Sequence, residues 1–384
     1  MKILYYTWSE NSKLDMEQTL LKLGHEVVTT SIPFSNYEKD IVFEEQFEHV
    51  INESKCDAIF SFNFFPLIAK SAEKAKKKYV SWVYDSPHRT LYSPSAKSEY
   101  SYVFLFDRMQ YIELQSRNIL HLFHFPLAVN TTRLNQQLGE LTMETAYKDE
   151  VSFVGSLYEK NMYDQINYLP DQLRGYIDGL MAAQSKVYGY NFIKELITDE
   201  VTSEINKYVS LNFDPSYQLK DNVLYSDMVN AKLTSMERVC YLEDVAQRYP
   251  FTLYTASDTS LVPGAKNGGI LSYDKEMPKV FRKSKINLNI TLRSIESGIP
   301  LRALDIMGAG GFLLSNYQPE LAEYFVDGKE VVLFTSQEDM LEKIDYYLNH
   351  DAERQEIAIR GWEKVQKEFS YEIQLKKIFD LINE

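Results

Sequence analysis

Residues 285–314 bring together the side chains and the turn that an anionic ligand needs. Lys285-Ile286-Asn287-Leu288-Asn289-Ile290-Thr291 reads as a buried strand. Ser297-Gly298-Ile299-Pro300-Leu301-Arg302-Ala303-Leu304-Asp305 follows as a polar turn running into a helix, and Gly308-Ala309-Gly310-Gly311-Phe312-Leu313-Leu314 as a glycine break and a second strand. A helix entered behind Ser297, Gly298 and Ile299 leaves free N–H groups and its positive dipole end at the strand edge, where an anion is stabilised. Pro300 suits the first helical position, because the N–H it lacks would have no partner there. Arg302 adds a fixed charge, and Asp305 follows about one turn later. A cation beside a diphosphate and a carboxylate beside a ribose suit a nucleotide donor. An ordinary strand–helix–strand unit with surface charges would read the same way.

Other strand ends carry candidate chemistry. Gly155 would let backbone approach a phosphate and Ser156 offers a hydroxyl, although glycine serves a plain tight turn equally well. Asn289, Thr291 and Arg293 continue that edge. A buried, unpaired amide costs about 1–3 kcal/mol, so Asn287 and Asn289 need partners, either a ligand or neighbouring loops. Nearer the N-terminus, Trp82-Val83-Tyr84-Asp85-Ser86-Pro87-His88-Arg89 places an Asp and a His three residues apart after a strand. Either side chain suits removal of a proton from an acceptor hydroxyl, and the same pair suits a simple loop clasp. Asn63 sits beside them and can orient a polyol. His121 and His124 flank a strand and read as structural.

These residues need a scaffold that delivers them to sheet edges. Strand-like runs at residues 2–7, 25–31, 57–62, 78–84, 102–106 and 119–123 alternate with helical segments, which predicts a parallel sheet covered on both faces. A second such series starts at 150–156 and resumes at 251–254, 286–290, 312–314 and 330–334. Doubly wound sheets bind ligands at the C-terminal ends of their strands. Residues 158–249 show helical apolar spacing and predict a helical insertion, and 353–369 and 371–383 predict helices at the end of the chain.

Composition bounds the function. A chain of 384 residues with 45% hydrophobic content supports two domains. The 28 Tyr and 21 Phe favour broad amphipathic surfaces, on which sugar rings stack well, and also ordinary cores. A net charge of −14 argues against a nucleic-acid partner, because such binding rests on Lys and Arg. Cys56 and Cys240 lie far apart and form neither a metal motif nor a disulfide framework. The chain enters its first strand without a signal-peptide pattern, and no run approaches the ~20 apolar residues of a membrane span. The expectation is a cytoplasmic protein.

Lys285 to Asn289, Gly298 to Asp305, Gly310 to Leu314 and Asn316-Tyr317-Gln318-Pro319-Glu320-Leu321 resemble the C-terminal half of group 1 glycosyltransferases, in the CgeB-like (spore maturation protein) branch. Tyr84-Asp85-Ser86-Pro87-His88, Phe106-Asp107-Arg108 and Pro126-Leu127-Ala128-Val129-Asn130 resemble the partner domain. The resemblance implies an α/β fold of GT-B type: two Rossmann-like doubly wound domains facing across a cleft, with a helical insertion in the C-terminal one. Its boundaries would be 1–135 for the acceptor domain and 136–365 for the nucleotide-sugar domain, with the insertion at about 158–249 and residues 366–384 crossing back as a last helix. The family carries Glu-x(7)-Glu, whose second acid holds the ribose. Asp305 takes the second position, and the first falls on Ser297, beside Glu296.

The resemblance therefore implies a metal-independent hexosyltransferase that needs no cofactor and uses a nucleotide-sugar donor, UDP-linked, with an unidentified acceptor. Arg302, with Lys279 or Arg282 as helpers, would neutralise the leaving diphosphate. Asp305 would bind ribose; Gly155, Ser156, Asn289, Thr291, Ser297, Gly298 and Ile299 would line the donor site; Asp85 or His88 would take the acceptor proton. A nucleotide-sugar epimerase of the same fold and a non-catalytic sugar or nucleotide-binding module are the rival readings.

Overall fold

In the computed structural model, which describes residues 1–139, 141, 146–166, 168–210, 214–217 and 219–383, the chain divides into two units. The first comprises Met1–Asn130, Asn212–Leu219 and Glu368–Glu384, and the second Thr131–Leu211 and Lys220–Lys367.

The first unit is built on β1 (Lys2–Tyr6), β2 (Glu26–Thr30), β3 (Ala58–Phe62), β4 (Lys78–Val83), β5 (Ser101–Leu105) and β6 (His121–His124). All pair in parallel in the order β2-β1-β3-β4-β5-β6. The apolar runs explain the layering: β3 is buried along its whole length because helices cover both faces, whereas β2, at the edge, is partly open. In the helix Ile41–Ser54, Asp40 caps the start by accepting from the Phe43 N–H at 3.0 Å. Phe43, Phe47 and Ile51 recur every four residues and form the stripe this helix buries. The C-terminal helix Tyr371–Asn383 buries Leu375, Ile378, Phe379 and Ile382 in this same unit, each worth about 1.5–3 kcal/mol. Its Tyr371 hydroxyl lies 2.9 Å from that of Tyr84.

The second unit holds β7 (Asp149–Val154), β8 (Phe251–Tyr254), β9 (Lys266–Gly269), β10 (Ser284–Asn289), β11 (Leu313–Asn316) and β12 (Val332–Phe334). These too are parallel, in the order β12-β11-β10-β7-β8-β9. The chain runs outward from β7 through β8 and β9, then returns to the other side of β7 with β10. The order therefore reverses between β7 and β10, the place where an open parallel sheet leaves a crevice. The strand β9 was not anticipated, because Lys-Asn-Gly-Gly has none of the β-branched or aromatic residues that mark strands. Pro300 also differs from expectation. It is the extended cap residue, with ψ of 142°, and the helix proper is Leu301–Gly308.

The inserted helices form a core of their own around Ile177, Met181, Ile193, Ile205, Tyr225 and Leu233. The 28-residue helix Asp221–Arg248 joins this core to the sheet: Leu233 packs with the insertion, and Leu242 and Val245 pack against the strands. Among the described residues, no helix is long and apolar enough to cross a membrane.

Candidate active site

A cleft of about 460 Å³ opens in the second unit over the ends of β7, β8 and β9. Its walls include Gly155, Ser156 and Tyr158 after β7, Thr255 to Ser257 after β8, Ile270 and Leu271 after β9, and Met277 and Arg302. The loop after β7 is held in place by its own backbone. The Gly155 N–H donates to the Tyr254 carbonyl at 3.1 Å, the Leu157 N–H to Ser257 Oγ at 2.9 Å and the Tyr158 N–H to Ser156 Oγ at 3.0 Å. Tyr158 adopts a left-handed φ of 56°, uncommon for a bulky residue and characteristic of functional loops. Arg302 enters one wall with a quarter of its side chain open. Its Nη1 donates to Asp305 Oδ2 at 3.1 Å, and its guanidinium lies 5.4 Å from the Phe281 ring centre.

A second guanidinium, absent from the reading of the sequence, stands behind this loop. Arg238 projects from the middle of the long helix, donates through Nη1 to the Ser156 carbonyl at 2.6 Å and through Nε to the Ile290 carbonyl at 3.0 Å. It thereby ties the loop after β7 to the loop after β10, the two strands between which the order reverses. The rings of Phe153 and Tyr158 lie 5.2 and 5.1 Å from its guanidinium carbon. Arg238 is 8% exposed, and no carboxylate pairs with it among the described residues. Burial pushes its pKa down to about 10, and the like charge of Arg302 acts in the same direction. It stays cationic at neutral pH. A buried charge without a counter-ion is costly, and an anion in the adjoining cleft would relieve that cost. The signal in the sequence is its register: Thr234, Arg238, Leu242 and Val245 share one helical stripe, all buried, and an arginine in such a stripe needs a reason.

The other expected donor residues fall in several places. Gly155, Ser156 and Arg302 share the cleft. Asn289 instead donates to Thr291 Oγ1 at 3.0 Å and Ser315 Oγ at 2.9 Å, and the Thr291 N–H donates to Asn316 Oδ1 at 2.7 Å. Neighbouring loops thus satisfy these buried groups. Asn287 is likewise satisfied by Ser152 and by the Phe281 and Phe312 carbonyls. Ser297, Gly298 and Ile299 are buried and are not among the walls of this cleft. The Ser297 hydroxyl donates to Glu320 Oε1 at 2.8 Å, and the Gly298 carbonyl accepts from Gln318 at 3.3 Å. Asp305 accepts from the Tyr273 hydroxyl at 2.8 Å and from Arg302, so it orients the arginine. Arg293 forms a buried pair with Glu237 and stacks 4.2 Å from the centre of Tyr188. Lys279 is exposed, and Arg282 packs beneath the Ala309 carbonyl, before the start of β10 and so at the opposite end of the sheet. Neither expected helper reaches the cleft walls.

Residues 238–380 match the family model described as "Glycosyl transferase-like". No curated protein sequence matches. Among solved structures, an alpha-glucosyltransferase in complex with UDP and a 13-mer DNA containing a HMU base superposes with a TM-score of 0.55 at 10% identity, covering 100% of each chain. A glycosyltransferase from Rickettsia africae gives 0.53 at 11% identity over 99% of this chain and 97% of that one. Anabaena HepE in complex with UDP-glucose gives 0.51 at 12% identity over 100% and 99%. At such identities the likeness concerns the fold, which is GT-B. The family model covers residues 238–380, a little over a third of the chain.

In the first unit, the expected acid–base pair separates into two roles. Asn63, at a left-handed φ of 62° that Asn tolerates, donates through Nδ2 to Asp85 Oδ2 at 2.8 Å and accepts the Tyr84 N–H at 2.9 Å. His88 is largely covered, with 12% of its side chain open, and its Nε2 accepts the Phe64 N–H at 3.0 Å and lies 2.8 Å from the Thr90 hydroxyl. Its Nδ1 is 3.9 Å from Asp85 Oδ2. Burial holds its pKa below the ordinary 6.5, against the opposing pull of Asp85. A ring whose Nε2 is occupied by its own backbone is a clasp for the loop. Asp85, with 65% of its side chain open, is the group presented outward.

Proposed function

We propose that this protein is a glycosyltransferase that draws its sugar from a UDP-linked donor, with the diphosphate lodged between Arg238 and Arg302 beside the Gly155–Ser156 loop. The observation that carries this reading is Arg238: a buried guanidinium without a carboxylate partner among the described residues, next to a second guanidinium, at the sheet's reversal point. Structures of the same fold that were solved with UDP or UDP-glucose support the choice of donor. The acceptor hydroxyl oxygen would attack the anomeric carbon while the bond to the β-phosphate oxygen breaks, its electron pair leaving on the diphosphate. Asp85 would take the hydroxyl proton. The two guanidiniums would stabilise the developing charge, usually the largest part of such catalysis. Charge neutralisation in this scheme needs no divalent ion. Asp305 acts by holding Arg302 in place.

In the same reading, residues 136–365 form the donor domain and 1–135 the acceptor domain, with 366–384 as the returning helix, and the chain is a cytoplasmic member of the CgeB-like branch that does not act on nucleic acid. The test is incubation of the purified protein with a panel of nucleotide sugars, following release of nucleoside diphosphate. Slow release of UDP from one UDP-sugar, reduced about 100-fold or more in a folded Arg302→Ala variant, is the expected result. Isomerised donor would identify an epimerase, and binding without turnover a carbohydrate or nucleotide-binding module.

A further inference from the structure

The C-terminal edge of the first unit's sheet presents an aromatic ring and a carboxylate in a fixed relation. Trp8, two residues after β1, donates its indole N–H to the Phe62 carbonyl at the end of β3, at 2.9 Å. Its backbone N–H donates to Glu10 Oε2 at 2.7 Å, and Glu10 Oε1 in turn accepts the Tyr5 hydroxyl. Ser9, between them, adopts a left-handed φ of 76°, and so does Asn63 beyond Phe62. Left-handed backbone at non-glycine residues costs energy, and such residues gather at functional sites. The ring is thus held at both ends of its attachment, yet 39% of Trp8 stays open. Asn63 hands the geometry on to Asp85, whose Oδ2 it grips and whose Oδ1 has no protein partner among the described residues.

A common anchor relates the two groups. The indole N–H rests on the Phe62 carbonyl and the Asp85 carboxylate on the Asn63 amide, so consecutive residues at the end of β3 tie both groups to one edge. Such an edge suits a six-membered sugar ring, its C–H face on the indole and its hydroxyls donating to the carboxylate. Trp offers a large apolar face at little entropic cost, which is how proteins bind sugar faces. The carboxylates of Glu10 and Asp85 disfavour a phosphate backbone on the same edge.

We propose that this edge is the acceptor subsite and that the acceptor presents a neutral pyranoside ring, stacked on Trp8 and hydrogen-bonded through its hydroxyls to Asp85. The proposal rests on the transfer reading above and names its second substrate class. Both groups belong to one unit, so binding does not require the donor.

Saturation-transfer NMR and tryptophan fluorescence with the full-length protein test it, using methyl α- and β-glucopyranosides, galactopyranosides and mannopyranosides, and maltose, in the absence of nucleotide. Trp82 is fully buried, which leaves Trp8 as the ring open at this edge. At least one glycoside is expected to give saturation transfer and to change the fluorescence, with the fluorescence change lost in Trp8→Phe. Affinity should fall tenfold or more in Trp8→Ala, and several-fold in Asp85→Asn, a variant that leaves the indole and its contacts intact. UDP binding, measured in parallel by thermal shift, should be unaffected in all three variants. Absence of binding by every glycoside while UDP binds overturns the acceptor proposal and spares the donor reading. Glycoside binding that is indifferent to both Trp8 and Asp85 also overturns it. Failure to bind UDP while a glycoside binds through Trp8 overturns the donor reading instead.

Discussion

Replacing Arg238 by methionine separates its two candidate roles, counter-charge for a diphosphate and brace for two loops. The side chain keeps its volume and loses its charge. Holding the guanidinium at about 10, below its ordinary value, costs about 3 kcal/mol, at about 1.4 kcal/mol per pH unit. Methionine removes that cost but leaves the Ser156 and Ile290 carbonyls without their donor, a loss of about 1–3 kcal/mol each. The two effects are of similar size and opposite sign, so the unliganded variant should lie within about 2–3 kcal/mol of the natural protein. Donor binding has no such compensation. Losing a charge-assisted contact to the diphosphate costs about 2–3 kcal/mol, or about 30- to 150-fold in Kd. At a UDP concentration 100 times the natural Kd, the natural protein gains about 2.7 kcal/mol of stability, and the variant less than about 1. Chemical denaturation with and without UDP, backed by titration calorimetry, reads both quantities. A variant destabilised by more than about 4 kcal/mol whose folded fraction still binds UDP at natural affinity would show that Arg238 is a brace only.

Two further outcomes follow from the same geometry. His88 is held below 6.5 by burial, so below about pH 6.5 the unfolded chain binds more protons than the folded one at this site. The stability it supports is complete above that pH and is lost as pH falls through the folded pKa. His88→Gln, whose amide oxygen can still accept the Phe64 N–H, should give a flatter dependence of Tm on pH between about 5 and 6.5; equal slopes would contradict a largely covered neutral imidazole. At Gly311 an added Cβ would lie 2.6 Å from the Phe281 carbonyl oxygen and 2.8 Å from Asn287 Nδ2, where β10 and β11 approach. Gly311→Ala should therefore destabilise by about 1–3 kcal/mol, read as a lowered midpoint in urea, and an unchanged midpoint would mean that the strands yield without cost.

Much of the architecture was legible in the residue order because it depends on local periodicity. Short apolar runs separated by helical stripes can be satisfied only by buried parallel strands with helices on both faces, and 11 of the 12 strands among the described residues announced themselves in that way. The exception, β9, has no apolar pattern to read. Gly155, Ser156 and Arg302 were legible for the same local reason: each stands at a strand end or in the first turn of a helix, and chain connectivity alone sends both to one edge of a parallel sheet.

What local order could not decide was which polar groups face a ligand and which face one another. Asn289 and Thr291 have the same types and positions as ligand-binding residues, and only the neighbouring Ser315 and Asn316 show that they are already satisfied. His88 looked like a base until the Phe64 backbone was found on its Nε2. Arg238 was the converse case, a charge in a long helix that folding brings to the carbonyls of Ser156, 82 residues away in sequence, and Ile290, 52 away, beside the same cleft. Strand and helix follow from neighbours a few residues away, which the sequence states by itself. Hydrogen-bond partners and uncompensated charges are set by groups far along the chain, and these meet only in the folded structure.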